Sequence, residues 1–296
     1  FGRTLAFLPK AEWSAEQHRR AAACEAECWH AARALLGMER LSITTSGAAS
    51  LAPEVIGFFR ALGFPLVELY GMTEACSMMT LQQSRIVPGT VGEPVGAVAL
   101  RLADDGEILV QGENVFEGYH KNPQATAEAK QDGWLHTGDL GAIEHGQLRI
   151  IGRKKDVIVT SGGKNVAATG IETLMKSSPL IEDCVLLGEG RHFLAALVQL
   201  AMPEEALLAA LADPATEQRI AAEIARLNAR LARVFQVRRA FLLPRKLSHG
   251  AGELTPTLKM RRFAVYAGHA DEIEAIYAGR LGFDIPPADA NESKGG

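Results

Sequence analysis

The stretch ELYGMTE (68–74) places an aromatic ring, a hydroxyl and a carboxylate on a tight turn. It closes the apolar run PLVELY (65–70), which has strand composition. Upstream, Pro53 suits the first turn of a helix, PEVIGFFRALG, that Gly63 stops. Before that helix come a second strand, LSITT (41–45), and a loop of small residues, SGAAS. Residues 41–70 therefore read as a strand–helix–strand unit with ELYGMTE at its carboxyl end. Ligands of parallel α/β sheets bind at that end of the strands. Residues 14–36 are rich in Ala, Glu and Arg with apolar positions at helical spacing, and Gly37 ends the run.

Downstream the pattern changes. Between residues 86 and 151 short apolar stretches alternate with Gly, Pro and Asp-Gly turns, which predicts a β-rich, barrel-like subdomain. The polar stretch GRKKD (152–156) reads as a linker. After it come a strand (DVIVT), a Gly turn, a helix over 170–177 and two strands (CVLLGE, FLAALVQL). Helices near 203–211 and 214–233, a strand (VRRAFLLP) and closing helices complete a small α+β domain. The expected division is 1–153, an α/β part; 154–285, a small α+β domain; and 286–296, a disordered tail.

Composition sets the class. The chain has 296 residues, is 47% hydrophobic and 22% charged, and carries a net charge of −4. That balance gives no electrostatic footprint for nucleic acid or an anionic membrane. No apolar run is long enough to span a bilayer, and no cleavable signal opens the chain. Cys24 and Cys28 sit one helical turn apart, but no second Cys/His pair completes a zinc site. Reduced, packed thiols in a cytoplasmic protein are expected of the four cysteines.

Four constellations offer chemistry. In ELYGMTE, Gly71 allows a sharp turn, Tyr70 presents a flat face to a planar base, Thr73 suits a phosphate oxygen, and Glu74 suits Mg²⁺. In WLHTGDL (134–140), Asp139 follows a Thr-Gly turn and can accept from two ribose hydroxyls. In GRKKDVIVTSGGKN (152–165), Arg153 is a planar fork, and Ser161, Gly162 and Gly163 form a backbone that a ligand can approach closely. In ELTPTLKMRR (253–262), Pro256 stiffens a loop from which Lys259 reaches an anion. Taken singly, each reads as well as a plain structural feature: a loop with a buried Tyr, an Asp capping a turn, a basic hairpin, a solvated Lys.

Together and in this order, SGAASL, YGMTE, HTGDL, GRKKDVIVTSGGKNVAATGIE and LTPTLKMRR resemble the adenylate-forming superfamily. Their wording is most similar to its long-chain fatty acyl-CoA synthetase branch. The resemblance covers nearly the whole chain. It implies the carboxyl-terminal part of a large adenylation domain followed by a small mobile domain. It also implies an acid–thiol ligase that uses ATP, Mg²⁺ and coenzyme A, and passes through an acyl-adenylate. On it, Gly47, Ala48 and Ala49 line the adenine pocket, Tyr70 stacks on the base, and Gly71 and Met72 flank the nucleotide. Thr73 binds phosphate, Glu74 holds Mg²⁺, and Asp139 and Arg153 bind ribose. Lys259 bridges the carboxylate and the α-phosphate, with Thr73 and Glu74 beside it as catalytic residues. Ser161, Gly162 and Gly163 line the pantetheine tunnel after rotation about Lys155.

Two departures stand out. The family's Lys-bearing phosphate loop has no match, so the chain is expected to be a carboxyl-terminal fragment, inactive alone. Ala168 stands where the family usually has Pro. A ligase for an aryl or amino acid, and a non-catalytic nucleotide-binding module, remain as alternatives. The expected partners are fatty acid, ATP and CoA, with no nucleic acid. Peripheral membrane contact and self-association through an exposed sheet edge are left open.

Overall fold

The computed structural model describes residues 12–49, 51–83 and 85–287. The opening FGRTLAFLPK and the tail from residue 288 lie outside them, as does Ser50 of the small-residue loop. The chain divides into two compact units, one ending at Lys155 and one beginning at Asp156.

The first unit opens with a helix, α1 (Ala15–Cys24), capped by a reciprocal Ser14/Gln17 box. A π-helical turn (Glu25–Trp29) leads into α2 (His30–Leu35). The expected 14–36 helix is thus one continuous rod with a widened turn. Next come β1 (Thr44–Ser46), α3 (Pro53–Ala61) and β2 (Leu66–Met72). β1 and β2 are parallel, with Thr44 opposite Leu66 and Ser46 opposite Glu68. This is the strand–helix–strand unit expected at 41–70, its first strand shifted later by three residues. A 3₁₀ turn (Thr73–Ala75) reverses the chain into β3 (Ser77–Leu81), followed by β4 (Glu93–Pro94). These strands form a four-stranded sheet in order β1-β2-β3-β4.

The β-rich region contributes β5 (Ala99–Leu102), β6 (Glu107–Gln111), the helix α4 (Pro123–Ala129), β7 (Lys130–Gln131), β8 (Trp134–Glu144) and β9 (Gln147–Arg153). β6 flanks one edge of the long β8, while β7 and β9 share the other. The sheet does not close, which corrects the expected barrel. In its order, β5-β6-β8-β7 with β9 on β8, among the described residues β5 and β7 pair with one strand each, and the backbone of β9 bonds outward only through Leu148, to Val91 and Gly92. Met79, Ile108, Val110, Leu135 and Leu148 form one buried cluster that joins the two sheets.

The second unit contains a small hairpin, β10 (Val157–Val159) with β11 (Asn165–Ala167), then α5 (Ala168–Met175). Ala168 takes the first helical position, where Pro is also at home. Its main sheet runs β12 (Ile181–Leu187), β13 (Leu194–Leu200), β14 (Val237–Leu242), β15 (Phe283–Asp284). Helices α6 (Glu204–Ala212), α7 (Pro214–Asn228), α8 (Arg262–Gly268) and α9 (Ala270–Tyr277) pack on it. β13 is buried along its whole length. Ala196, Val198 and Leu200 join one core cluster, Ala195 and Leu197 another, so both sheet faces are covered. Among the described residues no helix is long and apolar enough to cross a membrane.

Candidate active site

In the first unit the site is built at the end of β2. The β2–β3 register slips between Tyr70 and Gly71. A Cβ on Gly71 would lie 1.4 Å from the carbonyl oxygen of Ser77, so only glycine fits that approach. Cys76 and Ser77 follow with φ of 50° and 87°, left-handed values that bulky residues avoid. The tight reversal leaves Tyr70 half-buried with its phenol directed at the other sheet.

There Tyr70 Oη donates to Asp139 Oδ2 at 2.7 Å. Arg153 Nε meets Asp139 Oδ1 at 3.0 Å, the two residues standing opposite each other on β9 and β8. Asp139 is buried and Arg153 half-exposed. Thr137 fixes the approach: its hydroxyl donates to Ile108 O at 2.8 Å and accepts from Asp139 N at 3.1 Å. Gly138 has φ 69°, and its amide donates to Glu107 Oε1. Burial pushes the Tyr70 phenol up, and the Asp139 charge pushes it further. Tyr70, Asp139 and Arg153 are thus brought together. Met72 and the Tyr70 ring also pack on the cluster between the sheets.

The small-residue loop leaves β1 beside them. Gly47 lies against β2, where a Cβ would meet Leu69 Cδ1 at 2.6 Å, and Ala48 adopts φ 67°. Thr73 is exposed. Glu74 Oε1 accepts from Tyr119 Oη at 2.8 Å, and Glu74 O accepts from Phe116 N at 2.8 Å. Among the described residues no cluster of three His, Cys, Asp or Glu surrounds Glu74 or any other point. A lone carboxylate fits a hard cation whose other ligands are phosphate oxygens and water.

Three contributors escaped the sequence reading. Tyr119 orients Glu74, but nothing in FEGY marks it. Glu68, inside the quoted motif, is buried; its Oε1 accepts from Leu51 N at 3.4 Å and its Oε2 has no partner. Burial pushes this carboxyl up to about 7. Lys154 donates to Asp105 at 2.6 Å and Glu107 at 3.0 Å, holding the chain one residue before Lys155. Cys28 and Cys76 are exposed rather than packed, and all four thiols are free.

The second unit presents two turns of one design. In TSGGK, Gly163 N donates to Thr160 O at 2.8 Å, Thr160 N to Lys164 O at 3.0 Å, and Lys164 N to Thr160 Oγ1 at 3.2 Å. In TPTLK, Leu258 N donates to Thr255 O at 2.9 Å, Thr255 N to Lys259 O at 2.8 Å, and Lys259 N to Thr255 Oγ1 at 3.0 Å. The fourth residue is left-handed in both: Gly163 at φ 71° and Leu258 at φ 59°. The glycine turn is backed by Ser161 Oγ to His192 Nδ1, 2.7 Å. The lysine turn runs into Arg262, whose guanidinium donates twice to Glu172 at 2.7 Å and once to Leu186 O. Burial alone would lower Arg262, but the Glu172 hydrogen bonds raise it well above its usual value. Tyr266 Oη donates to Leu186 O beside it at 2.6 Å.

A backbone-lined loop, an aromatic face, a buried carboxylate with an Arg, and a Thr-Glu turn can hold a nucleotide by base, ribose and phosphate. That set defines a class: the chain belongs to the AMP-binding, adenylate-forming enzymes. A profile described as AMP-binding enzyme matches residues 8–120, and one described as AMP-binding enzyme C-terminal domain matches residues 155–280. Over 248 residues the chain is 41% identical to long-chain-fatty-acid–CoA ligase FadD15 of Mycobacterium bovis, covering 78% of this chain and 41% of that protein. Over 302 residues it is 32% identical to long-chain-fatty-acid–CoA ligase heimdall of Drosophila melanogaster, covering 83% of this chain and 44% of that protein. In fold it is similar to the A domain of carboxylic acid reductase from Segniliparus rugosus, solved with AMP and a co-purified carboxylic acid. The TM-score is 0.69 at 23% identity, over 87% of this chain and 46% of that one. The chain spans less than half the length of these relatives.

Proposed function

We propose that this protein takes part in an ATP-dependent acyl-CoA synthetase reaction on a long-chain fatty acid. The carboxylate attacks the α-phosphate of ATP, forming a mixed anhydride with AMP and releasing pyrophosphate. The thiol of coenzyme A then attacks the acyl carbonyl, and AMP leaves. The observation that carries the reading is the meeting of Tyr70, Asp139 and Arg153 from three strands at the end of β2. The names of the relatives supply the substrate class.

In this reading Gly47, Ala48 and Ala49 line the base, Tyr70 stacks on it, and Gly71 and Met72 shape the turn beneath. Asp139 accepts from the ribose hydroxyls through lone pairs not used by Tyr70 and Arg153. Thr73 donates to phosphate. Glu74, steadied by Tyr119, is the protein ligand for Mg²⁺, which when bound neutralises phosphate charge. Lys259 supplies positive charge where the carboxylate meets the α-phosphate. Ser161, Gly162 and Gly163 border the thiol, and Lys155 is the pivot between steps.

The test is AMP release from ATP by the complete gene product, given coenzyme A and a panel of carboxylic acids. Release that requires a long-chain acid and drops by about two orders of magnitude or more in Lys259→Ala supports the reading. Preference for an aryl or amino acid replaces the substrate class. No release with any acid overturns the enzyme reading.

A further inference from the structure

In the second unit, outside the residues assigned to the nucleotide, the side chain of Glu253 is held by an unusually dense set of bonds. It is 2% exposed. Arg245 Nη1 donates to its Oε2 and Arg245 Nη2 to its Oε1, both at 2.7 Å. Ser248 N donates to Oε2 at 3.0 Å, and His269 Nε2 stands 3.2 Å from Oε1. Four donors therefore converge on one carboxylate, and Arg245, first among them, holds it below the usual carboxylate range. The other charges near the group are Glu272, 3.8 Å from His269 Nδ1, and Glu204, which acts on Arg245.

The backbone of Glu253 closes the loop that carries Lys259. Arg261 N donates to Glu253 O at 2.7 Å, and Leu254 bridges Met260 one step inside. Leu254 and Met260 pack on the core cluster under β13, while the tip, Pro256 to Lys259, is exposed. Among the described residues the four of the tip bond only within the turn, and the ties to the rest of the unit lie at its feet: Ser248 and His249 on the Glu253–Leu254 side, and Arg262 on Glu172 beyond Arg261. Its direction is set at those two feet, and the buried side chain of the first is Glu253. Arg245 comes from the chain after β14, and His269 from the junction of α8 and α9, so the clamp ties the loop base to both.

We propose that Glu253, gripped by Arg245 and His269, is a positioning residue that aims the Lys259 turn; this rests on the ligase reading of Lys259. The side chain touches no reacting atom. It fixes the register of the 253–261 hairpin and lets the exposed lysine return to one geometry in each catalytic cycle.

Two measurements test this. In the 296-residue chain, amide hydrogen exchange of the 253–261 segment is compared among wild type, Glu253→Ala and Glu253→Gln. The expectation is exchange about tenfold faster or more in this segment, with β12 and β13 amides at wild-type rates. In the complete gene product, Glu253→Gln is expected to lower kcat for AMP release by about tenfold while the KM for ATP changes less than about twofold. Unchanged exchange in the segment overturns the proposal. So does loss of protection across the whole unit in the milder Gln variant, which would make Glu253 a general stability residue. A rise in KM with kcat intact overturns it as well. Absence of AMP release in wild type overturns the ligase reading, and the positioning role with it, and is told apart because the exchange rates still report the clamp.

Discussion

Glu68 is the residue of the opening motif whose buried place the sequence pattern leaves unmarked. The sequence marks Tyr70, Gly71 and Glu74, but nothing in the alternation distinguishes a buried Glu from a solvated one. What buries it is the parallel neighbour β1 and the loop that follows. Its carboxyl is pushed up to about 7, against an ordinary value of 4.5. The folded state therefore keeps the proton longer than the unfolded chain. Stability from this group is full below pH 4.5 and is lost as pH climbs towards 7. Glu68→Gln should remove that loss, leaving the protein roughly 2–3 kcal/mol more stable than wild type at alkaline pH and nearly unchanged in acid. Urea unfolding at the two extremes checks this, and parallel curves for both proteins would refute it. The Tyr70–Asp139 bond was likewise hidden, because its partners are 69 positions apart. A motif names the residue types; only the register of β8 and β9 against the end of β2 joins them.

At the scale of elements, turns were easier to read than ends. Asp132-Gly133 and His145-Gly146 each have two positive φ values, as two-residue hairpins demand, and both lie where the Gly pattern put reversals. Helix limits were less accessible. The run expected to 233 stops at Asn228, whose buried amide donates to Val237 O at 2.8 Å and accepts from Val237 N at 3.0 Å. An Asn spent on the neighbouring strand is invisible to helical periodicity. The twin turns give a direct test. Gly163 takes the left-handed position at little cost, whereas Leu258 pays for its Cβ. Leu258→Gly should stabilise the second unit by up to about 1 kcal/mol, measured by thermal unfolding, and a loss of stability would contradict the strain. The Arg262–Glu172 pair joins the lysine turn to α5. Either residue changed to Ala should cost about 3–5 kcal/mol, because its buried partner loses its counter-charge. The double variant should cost well below the sum, and strict additivity would show that the two act independently.

For the molecule as a whole, the order of elements is legible in the pattern, and the chain divides after Lys155, where the sequence reading expects a limit at 153, into units with a core each. The openness of the β-rich sheet is not legible there, because closure depends on which edges meet, and short strands carry no record of that. One further consequence follows from the way the tyrosines are held. The chain has four, and each phenol is pushed up: Tyr70 by burial and then Asp139, Tyr119 by burial and then its bond to Glu74, Tyr266 and Tyr277 chiefly by burial. The native protein should keep Tyr70, Tyr266 and Tyr277 out of the phenolate band at alkaline pH where free tyrosine already absorbs, while the exposed Tyr119 meets hydroxide directly. A stopped-flow jump to high base would then show a prompt rise from Tyr119 followed by a slower one as fast as each unit opens, so the colour of the solution becomes a clock for unfolding, with no dye attached. An instantaneous rise from Tyr70, Tyr266 and Tyr277 as well would show that those phenols are not held.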